Sequence, residues 1–215
     1  MRLGHYLLPY QVGVKLRARK VTMFRFASMV LLVALAIAGC ADDDPRLYAD
    51  AAWKVRCPAG AMGCPQDDPD RQVTFFDGQA GHRISCQVEL LPGGTEQRFS
   101  FDIELGGQYR MQLLSAMVPR DGGSVLGTGC RILVTEGVNT YTGACGASEP
   151  SEEQPCQVNG IAFGTSMDGY PQATANVLCR NARNETTGEL RDVTSPGAAG
   201  ASMSTAVRLL NCAGL

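Results

Sequence analysis

Nine cysteines, a short cluster of aspartates and a single histidine beyond residue 40 carry most of the reactive chemistry in this 215-residue chain. Cys57, Cys64, Cys86, Cys130, Cys145, Cys156, Cys179 and Cys212 form an even set, with Cys40 left over. No C-x₂-C pair occurs among them, so the close ligand spacing of a zinc site is missing. An even set in an exported chain reads instead as four disulfides, held in an oxidising compartment. The short gaps make Cys57–Cys64 and Cys145–Cys156 the expected local bridges. Cys86, Cys130, Cys179 and Cys212 would then join strands at longer range.

The remaining candidates each point to a different chemistry. His82 is the only histidine after Cys40, so any serine or cysteine triad must use it. Gly164-Thr-Ser166 comes nearest to a nucleophile turn, but it lacks the second glycine of G-x-S-x-G and the strand-to-helix context. Glu89, Asp102 and Glu104 would share one polar sheet face. They could pair for glycoside cleavage, or simply form a solvated surface. Asp67, Asp68 and Asp70 put three acids in one loop, hard oxygen ligands suited to calcium, without the spacing or turn glycine of an EF-hand. Trp53, Tyr141 and Tyr170 are the rings that could stack on a sugar, the alternative being core or rim packing. Asn184-Glu-Thr186 fits the N-glycosylation pattern. No triad assembles from these residues and no cofactor motif accompanies them, so the expectation is a protein without catalysis and without a cofactor.

Cys40 belongs to a different context. The stretch Met29-Val-Leu-Leu-Val-Ala-Leu-Ala-Ile-Ala-Gly-Cys40 is apolar up to the cysteine but too short for a permanent membrane span. Arg17, Arg19, Lys20 and Arg25 precede it, and no acidic residue does. That is the layout of an export signal, whether translation starts at Met1 or Met23. Its end, Ile37-Ala38-Gly39-Cys40, closely resembles the lipobox of bacterial lipoproteins. The resemblance implies that the leader, residues 1–39, is removed, and that Cys40 carries a diacylglyceryl thioether and an acylated amine. Two or more acyl chains give lasting membrane attachment, each buried CH₂ adding roughly 0.8 kcal/mol. By the same resemblance, Ala41 rather than aspartate after the cysteine points to the outer membrane, on its periplasmic or surface face.

All 21 acidic residues follow Cys40, against 13 basic ones, so the mature 176 residues carry a net charge of −8. That balance argues against nucleic-acid binding, which needs basic patches. Residues 40–47 read as the lipidated cysteine and an acidic tether, in which three aspartates and a proline cannot pack. Residues 48–215 are long enough for one domain with a sizeable core.

Within that domain the hydrophobic period is two. Ile84, Cys86, Val88 and Leu90 alternate with Arg83, Ser85, Gln87 and Glu89. After Pro92-Gly93-Gly94, Phe99, Phe101, Ile103 and Leu105 alternate with polar partners, so a β-hairpin is expected. Tyr109–Val118 reads as a strand with some helical ambiguity from Met111, Leu113 and Leu114. An acidic loop, residues 147–155, would be pinned by Cys145 and Cys156, and Ser195–Ser202 is a small-residue loop between the last two strands. About ten short strands with turn residues between them predict an all-β fold. Its expected form is an antiparallel two-sheet β-sandwich of jelly-roll or Greek-key type, stapled by disulfides. The expected role is a membrane-anchored envelope lipoprotein with a binding or structural domain facing a protein or glycan partner. The alternatives are a secreted-type hydrolase using acidic residues and a protease-inhibitor-like module presenting a stapled loop.

Overall fold

The computed structural model describes residues 46–64, 67–127, 129–196 and 204–215. Cys40, its leader and the acidic stretch after it lie outside the described residues. Eleven strands run in chain order: β1 (Tyr48–Arg56), β2 (Arg71–Phe76), β3 (Arg83–Leu90), β4 (Glu96–Leu105), β5 (Tyr109–Pro119), β6 (Cys130–Glu136), β7 (Asn139–Gly146), β8 (Cys156–Thr165), β9 (Pro171–Asn184), β10 (Leu190–Thr194) and β11 (Thr205–Leu210). The period-two alternation of the sequence sets them. In β1, for example, Ala49, Ala51, Trp53 and Val55 are buried and the residues between them are not.

The expected pair of antiparallel sheets is corrected in one respect. All eleven strands join a single mixed sheet, in the order β10-β1-β11-β9-β8-β7-β6-β5-β4-β3, with β2 added on β1. β7 and β8 run parallel, because the 147–155 loop carries the chain back to start β8 in the same direction. The sheet folds over one hydrophobic core, so strands far apart in this order meet face to face. Phe99 of β4 packs edge-on against Phe163 of β8, with ring centroids 5.5 Å apart. The result is sandwich-like without two separate sheets.

Closure comes from the C-terminal tail. Cys212 bonds to Cys86 of β3. The Val88 N–H donates to the Ala213 carbonyl at 2.8 Å, and the Ala213 N–H donates to the Cys86 carbonyl at 3.1 Å. The tail thus covers part of the β3 edge, which would otherwise be an open pairing surface. Gly214 is required there: its φ is +92°, and a Cβ would collide with the Val88 carbonyl oxygen.

Two irregularities explain where simple alternation misleads. In β5, Ser115 adopts φ 56°, and the β4–β5 register shifts between Phe99 and Phe101. Leu114 and Ser115 together oppose Ser100, whose hydroxyl accepts the Ser115 N–H at 3.0 Å. Alternation therefore restarts, with Met111 and Leu113 buried before the bulge and Ala116 and Val118 after it. That bulge is the source of the helix-like spacing. In the β3–β4 hairpin the expected inward face holds, except that Leu90 is 53 % exposed at the strand end.

β10 and β11 both pair with β1 on one side and β9 on the other. Val193 lies opposite Cys179, and Thr205 opposite Val177. The two strands therefore occupy one lane end to end, interrupted in sequence between Thr194 and Thr205, where residues 197–203 lie outside the described residues.

Among the described residues four disulfides form: Cys57–Cys64, Cys86–Cys212, Cys130–Cys145 and Cys156–Cys179. The local Cys57–Cys64 bridge is as expected; the Cys145–Cys156 bridge is not. Cys145 and Cys156 are neighbours in the parallel β7–β8 register, yet each bonds outward, to the residue directly opposite on its antiparallel neighbour. Both outward bridges join cysteines on one buried face, Cys130 and Cys145 across β6–β7 and Cys156 and Cys179 across β8–β9. The acidic loop is held by its flanking strands rather than by a bridge across its ends.

Candidate functional site

A cluster of charged and aromatic side chains lies where β1 ends and β2 begins. Trp53 of β1 is fully buried, and its indole N–H donates to Glu136 Oε1 at 3.0 Å. Glu136 ends β6 and continues the buried series Cys130, Ile132, Val134. Its second oxygen accepts from Arg71 of β2, from Nε at 2.8 Å and from Nη2 at 2.7 Å. The Arg71 guanidinium also lies 3.6 Å over the Tyr109 ring. Burial pushes the Glu136 carboxyl up from its usual range, and the Arg71 and Trp53 hydrogen bonds oppose that rise. For Arg71, burial acts downward but the Glu136 partnership outweighs it, so its guanidinium is held more firmly protonated.

A second layer surrounds the stapled loop. β1 delivers Cys57, whose backbone N–H donates to Asp67 Oδ1 at 3.0 Å, while the Asp68 N–H donates to the Val55 carbonyl at 3.1 Å. Between the two cysteines the chain stands out from the domain, with Ala59–Gly63 exposed and Met62 at 99 % exposure. Arg191 of β10, only 4 % exposed, lies against this loop. Its Nε and Nη2 donate to Glu189 Oε1 at 3.0 and 2.9 Å, and its Nη1 donates to Cys57 Sγ at 3.2 Å. Burial pushes the Asp68 carboxyl up, and the charges of Arg191 and Arg71 pull it back. Tyr141 is likewise pushed up by burial and by Glu189, with Arg191 opposing.

Beside the stapled loop is a cleft of about 640 Å³ lined by that loop together with Asn181, Glu189 and Leu190. A second cleft, about 800 Å³, continues past Asn181 and Leu190 toward Pro150, Glu152, Arg180 and Arg183. Asn181 sits between them in a left-handed conformation, φ 57°, its N–H held by the buried Asp192 carboxylate at 2.9 Å. Burial pushes that carboxyl up, against the Asn181 hydrogen bond and the charge of Arg180.

The sequence candidates are distributed differently from expectation. Asp67, Asp68 and Asp70 do not converge: Asp67 caps Cys57, Asp68 faces the two arginines, and Asp70 pairs with Lys54 at 3.1 Å. Among the described residues no group of three or more His, Cys, Asp or Glu side chains is placed to hold a metal ion. Trp53 and Tyr141 are core residues, 0 % and 2 % exposed, and cannot offer a stacking face. Tyr170, at 45 %, can. Ser166 closes the β8–β9 turn, its hydroxyl accepting the Tyr170 N–H at 3.1 Å. His82 packs its ring on Phe75, with centroids 4.7 Å apart.

Glu89, Asp102 and Glu104 do share the polar face of the β3–β4 hairpin, and arginines attend all three. Glu89 pairs with Arg98 at 3.0 Å, Asp102 with Arg110, and Glu104 lies opposite Arg83. Asn184 is 1 % exposed. Its side-chain oxygen accepts the Thr186 and Thr187 N–H groups, so the sequon asparagine is used internally.

Arg71, Glu136 and Arg191 were not singled out from the sequence, though a signal existed. Glu136 falls in phase with Ile132 and Val134, and Arg191 in phase with Val193, so alternation alone sends both toward the interior. Buried charges demand partners. Set beside known proteins, the chain matches no protein-family model, no curated protein and no solved structure.

Proposed function

We propose that this chain is a bacterial envelope lipoprotein, anchored by lipid on Cys40, whose β domain is a non-catalytic binding module. One placement carries the proposal. β1 starts just after the tether and runs nine residues, about 30 Å at 3.3 Å per residue, before delivering the stapled loop and its clefts. The stapled loop therefore follows the far end of the strand that opens the described domain at Tyr48. Four disulfides suit an exported, oxidising location, and a net charge of −8 on the mature chain keeps the domain off an anionic lipid surface. The folded-over sheet supplies the two layers of a sandwich, a rigid base for a protein or glycan partner.

The hydrolase alternative would draw on acids whose pKa values burial raises, as Glu136 and Asp68 are. Glu136, however, already has both oxygens occupied by Trp53 and Arg71. The inhibitor-like alternative finds support in Met62, presented at the tip of a loop whose ends are tied by Cys57–Cys64, Asp67 and Arg191.

Processing at the N-terminus tests the anchor. The Cys40→Ser protein is expected to carry no acyl chain and to keep its leader uncut, with all four disulfides intact. Mass spectrometry of the parent should find a processed, acylated N-terminus at Cys40. A parent protein whose N-terminus is uncut or carries no acyl chain would overturn the proposal.

A further inference from the structure

We infer that Cys57–Cys64 is a thiol–disulfide exchange site, with Cys64 the sulfur that is attacked and Cys57 the leaving thiolate, and that this bridge opens while the other three stay closed. The inference is independent of the lipid anchor. Six of the eight cysteines are at most 4 % exposed within the core. Cys57 and Cys64, by contrast, are half-buried at the root of an exposed loop. Exchange requires a thiolate to reach a disulfide sulfur, so access alone singles out this bridge.

The second observation is Arg191. Its guanidinium is buried, fixed on one side by Glu189, and directs its remaining nitrogen, Nη1, at Cys57 Sγ from 3.2 Å. To a disulfide sulfur that contact is a weak hydrogen bond; to a thiolate it is a charge-assisted one, about twice as strong. The contact therefore favours the reduced form and makes Cys57 the better leaving group. Acids nearby act in the opposite sense: Glu189 on Arg191, Asp67 at the Cys57 N–H, and Asp68 facing Arg191 and Arg71. Of these charges, the Arg191 guanidinium donates to the sulfur itself.

The co-reactant is a thiol, either a low-molecular-weight thiol or an exported dithiol protein. Having lost its proton to water, its thiolate attacks Cys64 Sγ, the S–S bond breaks, and the electron pair goes to Cys57 Sγ opposite Arg191. A mixed disulfide remains on Cys64. A second thiolate displaces Cys64, so that two thiols are oxidised to one disulfide and the protein gains two electrons. The cleft beside Glu189 and Leu190 gives the attacking thiol room.

Two measurements decide the matter. The oxidised full-length protein is equilibrated with graded dithiothreitol, alkylated with iodoacetamide and mapped by mass spectrometry. Label is expected on Cys57 and Cys64 at reductant levels where the other six cysteines remain bonded. Another bridge opening first, or all four opening together, overturns the inference. Cys64→Ser and Cys57→Ser proteins then each release one thiol of the pair, whose alkylation, read on its own peptide apart from Cys40, is followed against pH. The Cys57 midpoint is expected below the ordinary thiol value of about 8.5, with alkylation near pH 7 about tenfold faster than that of Cys64. Adding Arg191→Met to Cys64→Ser should raise the midpoint again. Should that variant fail to fold, the Cys57-against-Cys64 comparison still decides, and equal midpoints refute the assignment.

Discussion

Replacing Glu136 with alanine is expected to destabilise the domain by about 3–5 kcal/mol, the range for removing one partner of a buried ion pair. In a domain of this size that corresponds to a melting temperature lower by roughly 10 °C. The loss is large because two donors are stranded at once. The Trp53 indole is fully buried with Glu136 as its acceptor, and the Arg71 guanidinium would face the core without its carboxylate. Glu136→Gln is expected to cost less, since its amide oxygen can still accept from Trp53.

The two variants also separate charge from geometry through pH. Burial raises the Glu136 pKa in the folded state, so the folded protein binds that proton more tightly than the unfolded chain does. The resulting stabilisation is fully present below the ordinary carboxylate pKa and is lost as pH rises through the folded-state value. Asp68 and Asp192, also pushed up by burial, contribute in the same direction. Melting curves recorded across this acidic range should show the parent losing part of its stability as pH rises. That slope should be shallower in Glu136→Gln. An unchanged slope, or an alanine variant as stable as the parent, would remove Glu136 from its proposed place at the centre of the cluster.

Removing Cys86–Cys212 by a double alanine replacement should cost about 4–5 kcal/mol, while removing Cys57–Cys64 should cost about 2–3 kcal/mol. The difference follows from loop length: the first bridge spans 126 residues of sequence and the second 7. Cys130–Cys145 and Cys156–Cys179 lie inside the longer loop and shorten it, but the dependence is logarithmic and the ranking survives. Guanidinium unfolding of the two double variants reads the ranking directly, and a reversed order would contradict it. The structure adds a local signature. Without Cys86–Cys212, hydrogen-exchange protection should fall first at Val88 and Ala213, whose amides join the tail to β3.

The strands were legible in the sequence because each side of the sheet writes its own period. Ile84-Cys86-Val88 and Phe99-Phe101-Ile103 were read as core positions and are core positions. What alternation cannot encode is which strand lies beside which. Nothing in β7 or β8 announces that their cysteines bond outward, because that depends on the chain returning in parallel after residues 147–155. Sequence proximity favoured Cys145–Cys156; register favoured the opposing residues on β6 and β9. The site shows the same division. Asp67, Asp68 and Asp70 look like a cluster because they are adjacent in the chain, yet the fold turns them to three separate partners. Arg71 and Glu136 are far apart in sequence, as are Arg191 and Cys57, and each pair meets only in the folded sheet.

The interrupted lane has a covalent consequence. If a protease cut the backbone anywhere between Ser195 and Ser204, the eleven residues from Thr205 onward would not be released, because Cys212 remains bonded to Cys86. The severed segment would also stay clasped between β1 and β9. Such a molecule would migrate as one species until a reductant was added and would then shed its C-terminal peptide, a two-chain form of the same fold.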